Sequence, residues 1–597
     1  MGTDQKLLTL NPFAAVTVAD FEAFQLVYDM LVGWGQDLEP VPGYAESWEP
    51  SADSLTWTFH IRPGMTWSDG EPATCEDARW SYQLVLDASD QGVTLGNGYI
   101  EPYLVDAGLK SVRCSDETTL VAELAFPNSL LLEAYAPILP KHIWSKYTMD
   151  QMGNLEADDY FKNEPPIVGT GPFKTVEWDA GTFIRFERND SYWGTKSGLD
   201  EIILQSFQST DTMVTALKSD ELDYIRGVKA DQFNALKSEP DIVTVEGASN
   251  GYSYLSYNLY PKDIPGGGAS TKALRDKAFR DALNWAIDTN VLVERVLAGY
   301  GIPGDTNVPP FQTKWHAAPT SPRTFDIEEA KRRLDAAGYT LDAQGKRLDK
   351  DGNPITLRMT WPDSEDHGAD AEFIKDWWGQ LGIDVSAQVT EEDALIAQLY
   401  LPEAGGTADW DTYLWGWTGD PDPTSLLRIF TTDQIGNLND TGYSNPHYDD
   451  LHRQQVSERD ETKRKAIMAE MQNIVYDDAP YDIIYYDSEL HAYRTDKIGG
   501  WRNQPRNGTP LFEYGAINYT LLTAAAAASP SPAVSPSPGV SVSPSPGTGG
   551  GGTAAGGDNT VPLIAGVAVV GLLVIGAIVL LRRRAAAGGP GEEEDEE

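Results

Sequence analysis

Residues 55–62 read Leu-Thr-Trp-Thr-Phe-His-Ile-Arg, apolar and polar by turns, with Pro63 and Gly64 directly after. A period of two places Leu55, Trp57, Phe59 and Ile61 on one face, which predicts a half-buried strand closed by a turn. The period then changes. Thr74, with Asp77 three residues on, carries the capping-box signature and predicts a helix through "CEDARWSYQLVL". In "AFRDALNWAI" the residues Phe279, Ala282, Leu283, Ala286 and Ile287 fall on one helical face, and "DTNVLVERVLAGYG" reads as a second helix behind it. "DIEEAKRRLDAAGY" and "ETKRKAIMAEMQNIVYDDAPY" predict further amphipathic helices. Strand-like runs such as "YLSYNLY" and "YDIIYY" come between them, so the class is mixed α/β.

This patterning stops at Thr523. From there the chain reads "TAAAAASPSPAVSPSPGVSVSPSPGTGGGGTAAGG", which has no core to offer and predicts a stalk over 523–560, extended where Pro-rich and flexible where Gly-rich. Val561 to Leu581 carry no charge, and 21 residues match a hydrocarbon core of ~30 Å at ~1.5 Å per residue, which predicts one transmembrane helix. Arg582, Arg583 and Arg584 follow at once, so residues 582–597 are expected in the cytoplasm and the folded part outside the cell membrane, in a single-pass topology. No LPxTG-type sorting motif precedes the helix. The opening "MGTDQKLLTLNPF" shows no export signal although this topology demands export, so a truncated or late-called start is expected.

Composition narrows the partners. The 597 residues hold material for more than one core, and 45 Lys and Arg stand against 90 Asp and Glu. Of the net charge of −45, only −4 lies in the last 75 residues. The acidity therefore belongs to the folded surface, and nucleic acid is excluded as a partner because its phosphates would be repelled. Cys75 and Cys114 fit no metal site, and the sequence leaves open whether they form a bridge or two buried thiols. Seven scattered histidines without HExxH or CxxC imply no structural metal, and no cofactor is implied.

Two glycine motifs are structural. "GYGIPG", Gly299 to Gly304, matches GxGxxG, but it closes a helix and runs into Pro303 where a dinucleotide fingerprint must follow a strand and open a helix. It reads as a C-cap and turn. "GTGPFK" lacks the P-loop spacing. No GxSxG and no Ser/His/Asp grouping emerges, which leans away from an enzyme.

"PVPGYAESWEPSADSLTWTFHIRPGMTWSDGEPATCEDARWSYQLVLD", "GTGPFKTVEWDAGTFIRFERNDSYWG", "FRDALNWAIDTNVLVERVLAGYG" and "GYSNPHYDDL" occur in this order, and together they resemble the family 5 extracellular solute-binding proteins. These are the oligopeptide-, dipeptide- and nickel-binding components of ABC importers, and the likeness spans nearly all of residues 8 to 522. The resemblance implies a two-lobed periplasmic-binding-protein-like fold of type II. Lobe I would be 1–254, with a subdomain inserted at about 45–165, plus a return at 487–522; lobe II would be 255–486. The chain would cross between lobes near "YLSYNLY" and "IIYYDSELHAYR", and the lobes would close about those crossings. Family members normally begin with a strand before "LNP", and Met1 falls inside it.

The resemblance also implies a ligand site in "WGWTGDPDP", residues 415–423. Peptide-binding members pair an extended ligand with a first loop, here Val16 and Val18, and with the stretch matching Gly416, Trp417 and Thr418; an aspartate matching Asp420 takes the peptide's α-ammonium. Asp422 and Pro423 read as N-cap and N1 of the helix ahead, which leaves Asp420 without a capping task. Trp415 and Trp417 share one strand face, either core or cleft. The arginines that peptide binders place before this stretch are missing, with Gly405 and Leu414 in their places, and Val16 replaces an acidic residue. The expected function is an anchored receptor that hands a peptide to an ABC permease, with an oligosaccharide-binding member as runner-up. From other classes, an anchored extracellular hydrolase and a sensor are the alternatives; 16 residues beyond Leu581 offer a sensor no output domain.

Overall fold

The computed structural model describes residues 1–525 except 16, 94, 96–99, 106, 129, 155–158, 262–270, 400–406 and 511–514. The predicted stalk beyond 525, the helix at 561–581 and the tail lie outside the described residues. Among the described residues no helix is long and apolar enough to cross a membrane.

The period-two reading holds at Thr56–Ile61, where Trp57, Phe59 and Ile61 point inward and the polar residues between them are half-buried. This strand lies second in a four-stranded antiparallel sheet, between Ala45–Pro50 and Thr119–Leu124, with Leu109–Asp116 beyond. The helix Cys75–Asp90 starts with the predicted box: Thr74 and Asp77 exchange side-chain and backbone hydrogen bonds. Cys75 and Cys114 are bridged, which ties the first turn of this helix to the sheet.

A second sheet of twelve strands runs through the molecule. Its axis is the strand Tyr481–Arg494, longer than the "YDIIYY" run suggests. The first half pairs with Gly251–Tyr257 and Gly301–Pro303, and the second half with Ile242–Ala248 and Tyr224–Ile225. Beyond Gly251–Tyr257 come Thr412–Thr418, Thr356–Pro362 and Asp384–Thr390, the last three mutually parallel. On the other side Gly2–Thr3 lies between Tyr224–Ile225 and Glu201–Ser206. Gly301–Pro303 follows a helix as a strand, the reverse of the order a dinucleotide fingerprint needs.

Burial divides along this strand. Two apolar clusters draw their buried members only from residues 252–486; the other two draw theirs from 7–236 and from 490–522. The helices Lys277–Asn284, Ile327–Ala336 and Glu461–Asp478 stand where their periodicity predicts. One boundary moves. Thr523–Ala524 pairs with Ile498–Gly499, so the fold continues two residues into the predicted stalk, because backbone pairing needs no apolar side chain.

Candidate functional site

The strand Thr412–Thr418 is aromatic at alternate positions, and this parity decides its two faces. Tyr413, Trp415 and Trp417 turn into an aromatic core with Tyr254, Phe430 and Tyr481. Trp417 Nε1 donates to the Tyr481 hydroxyl at 3.3 Å. Between core and cleft, both tryptophans have therefore taken the core: each removes some 150–250 Å² from water there, more than any neighbour on the strand can. Leu414 is also fully buried, and Gly405 lies outside the described residues.

On the opposite face stand Gly416 and Thr418, across from Ser253 and Gly251 of the neighbouring strand. Pairing with the parallel strand Thr356–Pro362 ends at Tyr413, so among the described residues no strand continues along the outer edge of Leu414–Thr418. Past the strand the chain is pinned. Gly419 N donates to the Asn250 carbonyl at 2.7 Å, and Gln312 Nε2 donates to the Asp420 carbonyl at 2.7 Å.

This pinning aims the Asp420 carboxyl toward the other half of the molecule. The side chain is partly exposed. Burial raises its pKa, while the hydroxyls of Tyr103 and Ser425 beside it act in the other direction. Tyr103 comes from the short helix Glu101–Leu104, more than 300 residues earlier in the chain, so this neighbour is invisible to any local reading. Val16 lies outside the described residues, as does the side chain of Val18. The Val18 backbone opens the helix Val18–Gln25, capped by Thr17, where a loop was expected.

Asp422 does more than the sequence assigns it. The helix begins at Thr424 with Pro423 as the cap residue, one position later than predicted. Asp422 Oδ1 nonetheless accepts from Thr424 N at 3.0 Å, and both its oxygens meet Arg464, at 2.6 and 2.8 Å. Burial would raise this carboxyl, but the Arg464 charge and these hydrogen bonds outweigh it and hold the pKa down. Glu133, from the first half of the chain, approaches the same pair; burial and then the Asp422 charge push it well above the usual carboxylate range.

These residues border a cavity of ≈ 430 Å³ whose walls come from both halves of the chain, with Trp34, Trp57 and Glu133 on one side and Trp315, Asp422 and Arg464 on the other. Arg464 is committed to Asp422, and Arg226, nearer the long strand, to Glu22 at 2.7 Å. Among the described residues no group of three or more His, Cys, Asp or Glu side chains is placed to hold a metal ion. The sequence reading missed Tyr103, Glu133, Gln312 and Arg464, because their meeting is purely tertiary. One further group had a local signal, the "EDHGAD" run that carries Glu365, His367 and Asp370.

The sequence pattern described as bacterial extracellular solute-binding proteins, family 5 middle, matches residues 39–437. The oligopeptide-binding protein OppA of Bacillus subtilis is 26% identical over 506 residues, covering 80% of this chain and 85% of that protein. Among solved structures, the oligopeptide-binding protein AppA of Bacillus subtilis in complex with a nonapeptide superposes with a TM-score of 0.68 at 22% identity, covering 88% of this chain and 98% of that one. NikZ of Campylobacter jejuni in complex with Ni(L-His) gives 0.69 at 19% identity, covering 87% and 98%.

Proposed function

Because the chain belongs to the family 5 bacterial extracellular solute-binding proteins, we propose that it captures an oligopeptide or similar extended solute between two lobes and delivers it to an ABC permease. The observation that carries this reading is the strand edge beyond Tyr413, which has no neighbouring strand among the described residues and ends toward Asp420. An extended peptide adds there through main-chain hydrogen bonds from Gly416, Trp417 and Thr418, with the segment around Val16 and Val18 on its other side. Asp420 receives the α-ammonium. A carboxyl whose charged form is disfavoured by burial gains most from a cation brought against it. That OppA of Bacillus subtilis is an oligopeptide binder and that AppA was solved with a nonapeptide supports the peptide class.

The lobes are 1–254 with 487–522, and 255–486, and the hinge is the pair of strands Gly251–Tyr257 and Tyr481–Arg494. Apolar clusters whose buried members keep to one side of this division, apart from Tyr252 and Tyr254 on the hinge strand itself, support the assignment. Attachment to the membrane by 561–581, with the binding part on the extracytoplasmic side, rests on the sequence pattern of that segment.

Trp34, Trp57 and Trp315 in the cavity walls favour a second reading, an oligosaccharide whose rings stack on indoles. Mass spectrometry of solute released from the purified chain separates the two: peptides support the first reading, sugars the second. A receptor leaves its ligand intact, so incubation with peptides or oligosaccharides that yields cleavage beyond one turnover per chain would overturn both in favour of a hydrolase.

A further inference from the structure

Gly416 places no side chain on its face of the strand, and what stands over it is a carboxylate. A Cβ built at Gly416 would lie 3.4 Å from Glu365 Oε1. Glu365 follows the strand Thr356–Pro362, which pairs in parallel with Thr412–Thr418 only at Met359 to Thr412 and Thr360 to Tyr413. Past that pairing Glu365, three residues beyond the end of its own strand, stands beside the second half of Thr412–Thr418. Its Oε2 meets His367 Nε2 at 2.8 Å. Among the described residues its Oε1 has no hydrogen-bond partner, although the side chain is only 6% exposed. A buried carboxylate oxygen left in that condition is unfavourable unless something else is bound there.

The surroundings do not neutralise it. His367 Nδ1 meets Asp370 Oδ2 at 3.0 Å, and the Tyr485 hydroxyl donates to that same oxygen at 2.9 Å. Burial opposes a charge on His367, but hydrogen bonds to Asp370 and Glu365 raise it to about 10, so one imidazolium stands between two carboxylates. On the long strand Asp487 and Glu489 share a face with Tyr485. Asp487 is pushed up to about 6 by burial first and by Glu489 next, with Glu365 adding to the push and His367 opposing it. Glu489 meets His491 at 3.4 Å and lies in the field of Arg226, which Glu22 already holds. Around Glu365 the carboxyl groups of Asp370, Asp487 and Glu489 thus stand with His367, while Arg226 is shared between Glu22 and the field of Glu489.

We infer that Glu365, with Asp487 behind it, is the acceptor for a second cationic group of the ligand, so that the solute is an extended peptide with a basic side chain a few residues from its amino terminus. This rests on the peptide-receptor reading and narrows it. Gly416 precedes Asp420 by four residues, and at ~3.3 Å per extended residue the two acceptors are spaced for ligand charges up to about 13 Å apart. The same arrangement accounts for the missing carboxylate clamp: the nearby arginines are occupied by Glu22 and Asp422, and the ground between them is acidic.

The test is calorimetric titration of the full chain with alanine-based pentapeptides that have a free amino terminus and carry lysine at each later position in turn. Each is paired with a norleucine twin, which keeps the stem and lacks the charge. At one position lysine is expected to bind roughly tenfold or more tighter than norleucine, as for a hydrogen bond to a charged partner, and Glu365→Gln brings the ratio to within about twofold. Asp487→Asn lowers the ratio less, and thermal unfolding certifies the fold of both variants. Twins that bind the parent equally, or a lysine preference undiminished in both variants, would overturn the subsite and leave the peptide receptor standing. If no peptide of either kind binds, the receptor reading falls and the subsite falls with it.

Discussion

Arg464 holds Asp422 through both terminal nitrogens, at 2.6 and 2.8 Å, with the two side chains only 9% and 5% exposed. Its guanidinium also lies 4.8 Å from the Trp315 ring centroid, so this pair fixes one wall of the cavity as well as the start of the helix Thr424–Arg428. Arg464→Met leaves the buried Asp422 carboxylate without its cationic partner. The expected loss is about 3–5 kcal/mol in urea unfolding, with much of it recovered in the double variant Arg464→Met, Asp422→Leu, where no lone charge remains. A loss under about 1 kcal/mol would mean that the pair behaves like a surface salt bridge.

Asp420 is tested by the chemistry of the peptide's amino end. Asp420→Asn is expected to weaken peptides with a free amino terminus by roughly ten- to a hundredfold and to leave their acetylated counterparts near the parent value. Calorimetry with both sets decides the matter, since an equal loss in both would assign Asp420 to the fold rather than to the ammonium.

Below the tryptophans, Asp440 accepts hydrogen bonds from the hydroxyls of Tyr413 and Tyr481. Burial still raises its pKa from 3.8 to about 6. A group raised on folding contributes stability that is complete below its unfolded pKa and is lost as pH rises through its folded one. Wild type should therefore lose stability between about pH 4 and about pH 6 more steeply than Asp440→Asn, by an amount on the order of 3 kcal/mol at most. Parallel pH profiles of melting temperature would show that Asp440 does not titrate in this window.

The bridge between Cys75 and Cys114 closes a loop over a sequence separation of 39. The double variant Cys75→Ser, Cys114→Ser should lose about 3–4 kcal/mol on the chain-entropy estimate. Trp57 brings this sheet to one cavity wall, but Asp420, Asp422 and Arg464 belong to other segments, so peptide affinity should change less than thermal stability. A matched fall in affinity would mean that the bridge holds the Trp57 wall in place for the ligand.

Local physics was legible in the chain. The strand Thr56–Ile61, the capping box at Thr74 and Asp77, and the helix Glu461–Asp478 follow from spacing alone, because side-chain periodicity and terminal hydrogen bonding are decided within a few residues. Ordered motifs carried the family as well. The site was legible only where it is local: Gly416 to Asp420 could be singled out because Asp422 already had a helix start to serve.

What stands across from those residues could not be read from them. Tyr103 beside Asp420, Arg464 on Asp422 and Glu365 over Gly416 are set by how distant helices and strands pack. Parity placed Trp415 and Trp417 on one face, and only the packed tertiary structure turned that face inward, since their large apolar area outweighs any polar alternative on the strand. The sequence by itself determined the long periodic elements, their order and the family, all of which depend on short-range pattern, but not the helix Val18–Gln25 or the full length of Tyr481–Arg494. The tertiary structure decided which charges are answered and which are left open at the strand edge, because that depends on distances between residues far apart in the chain.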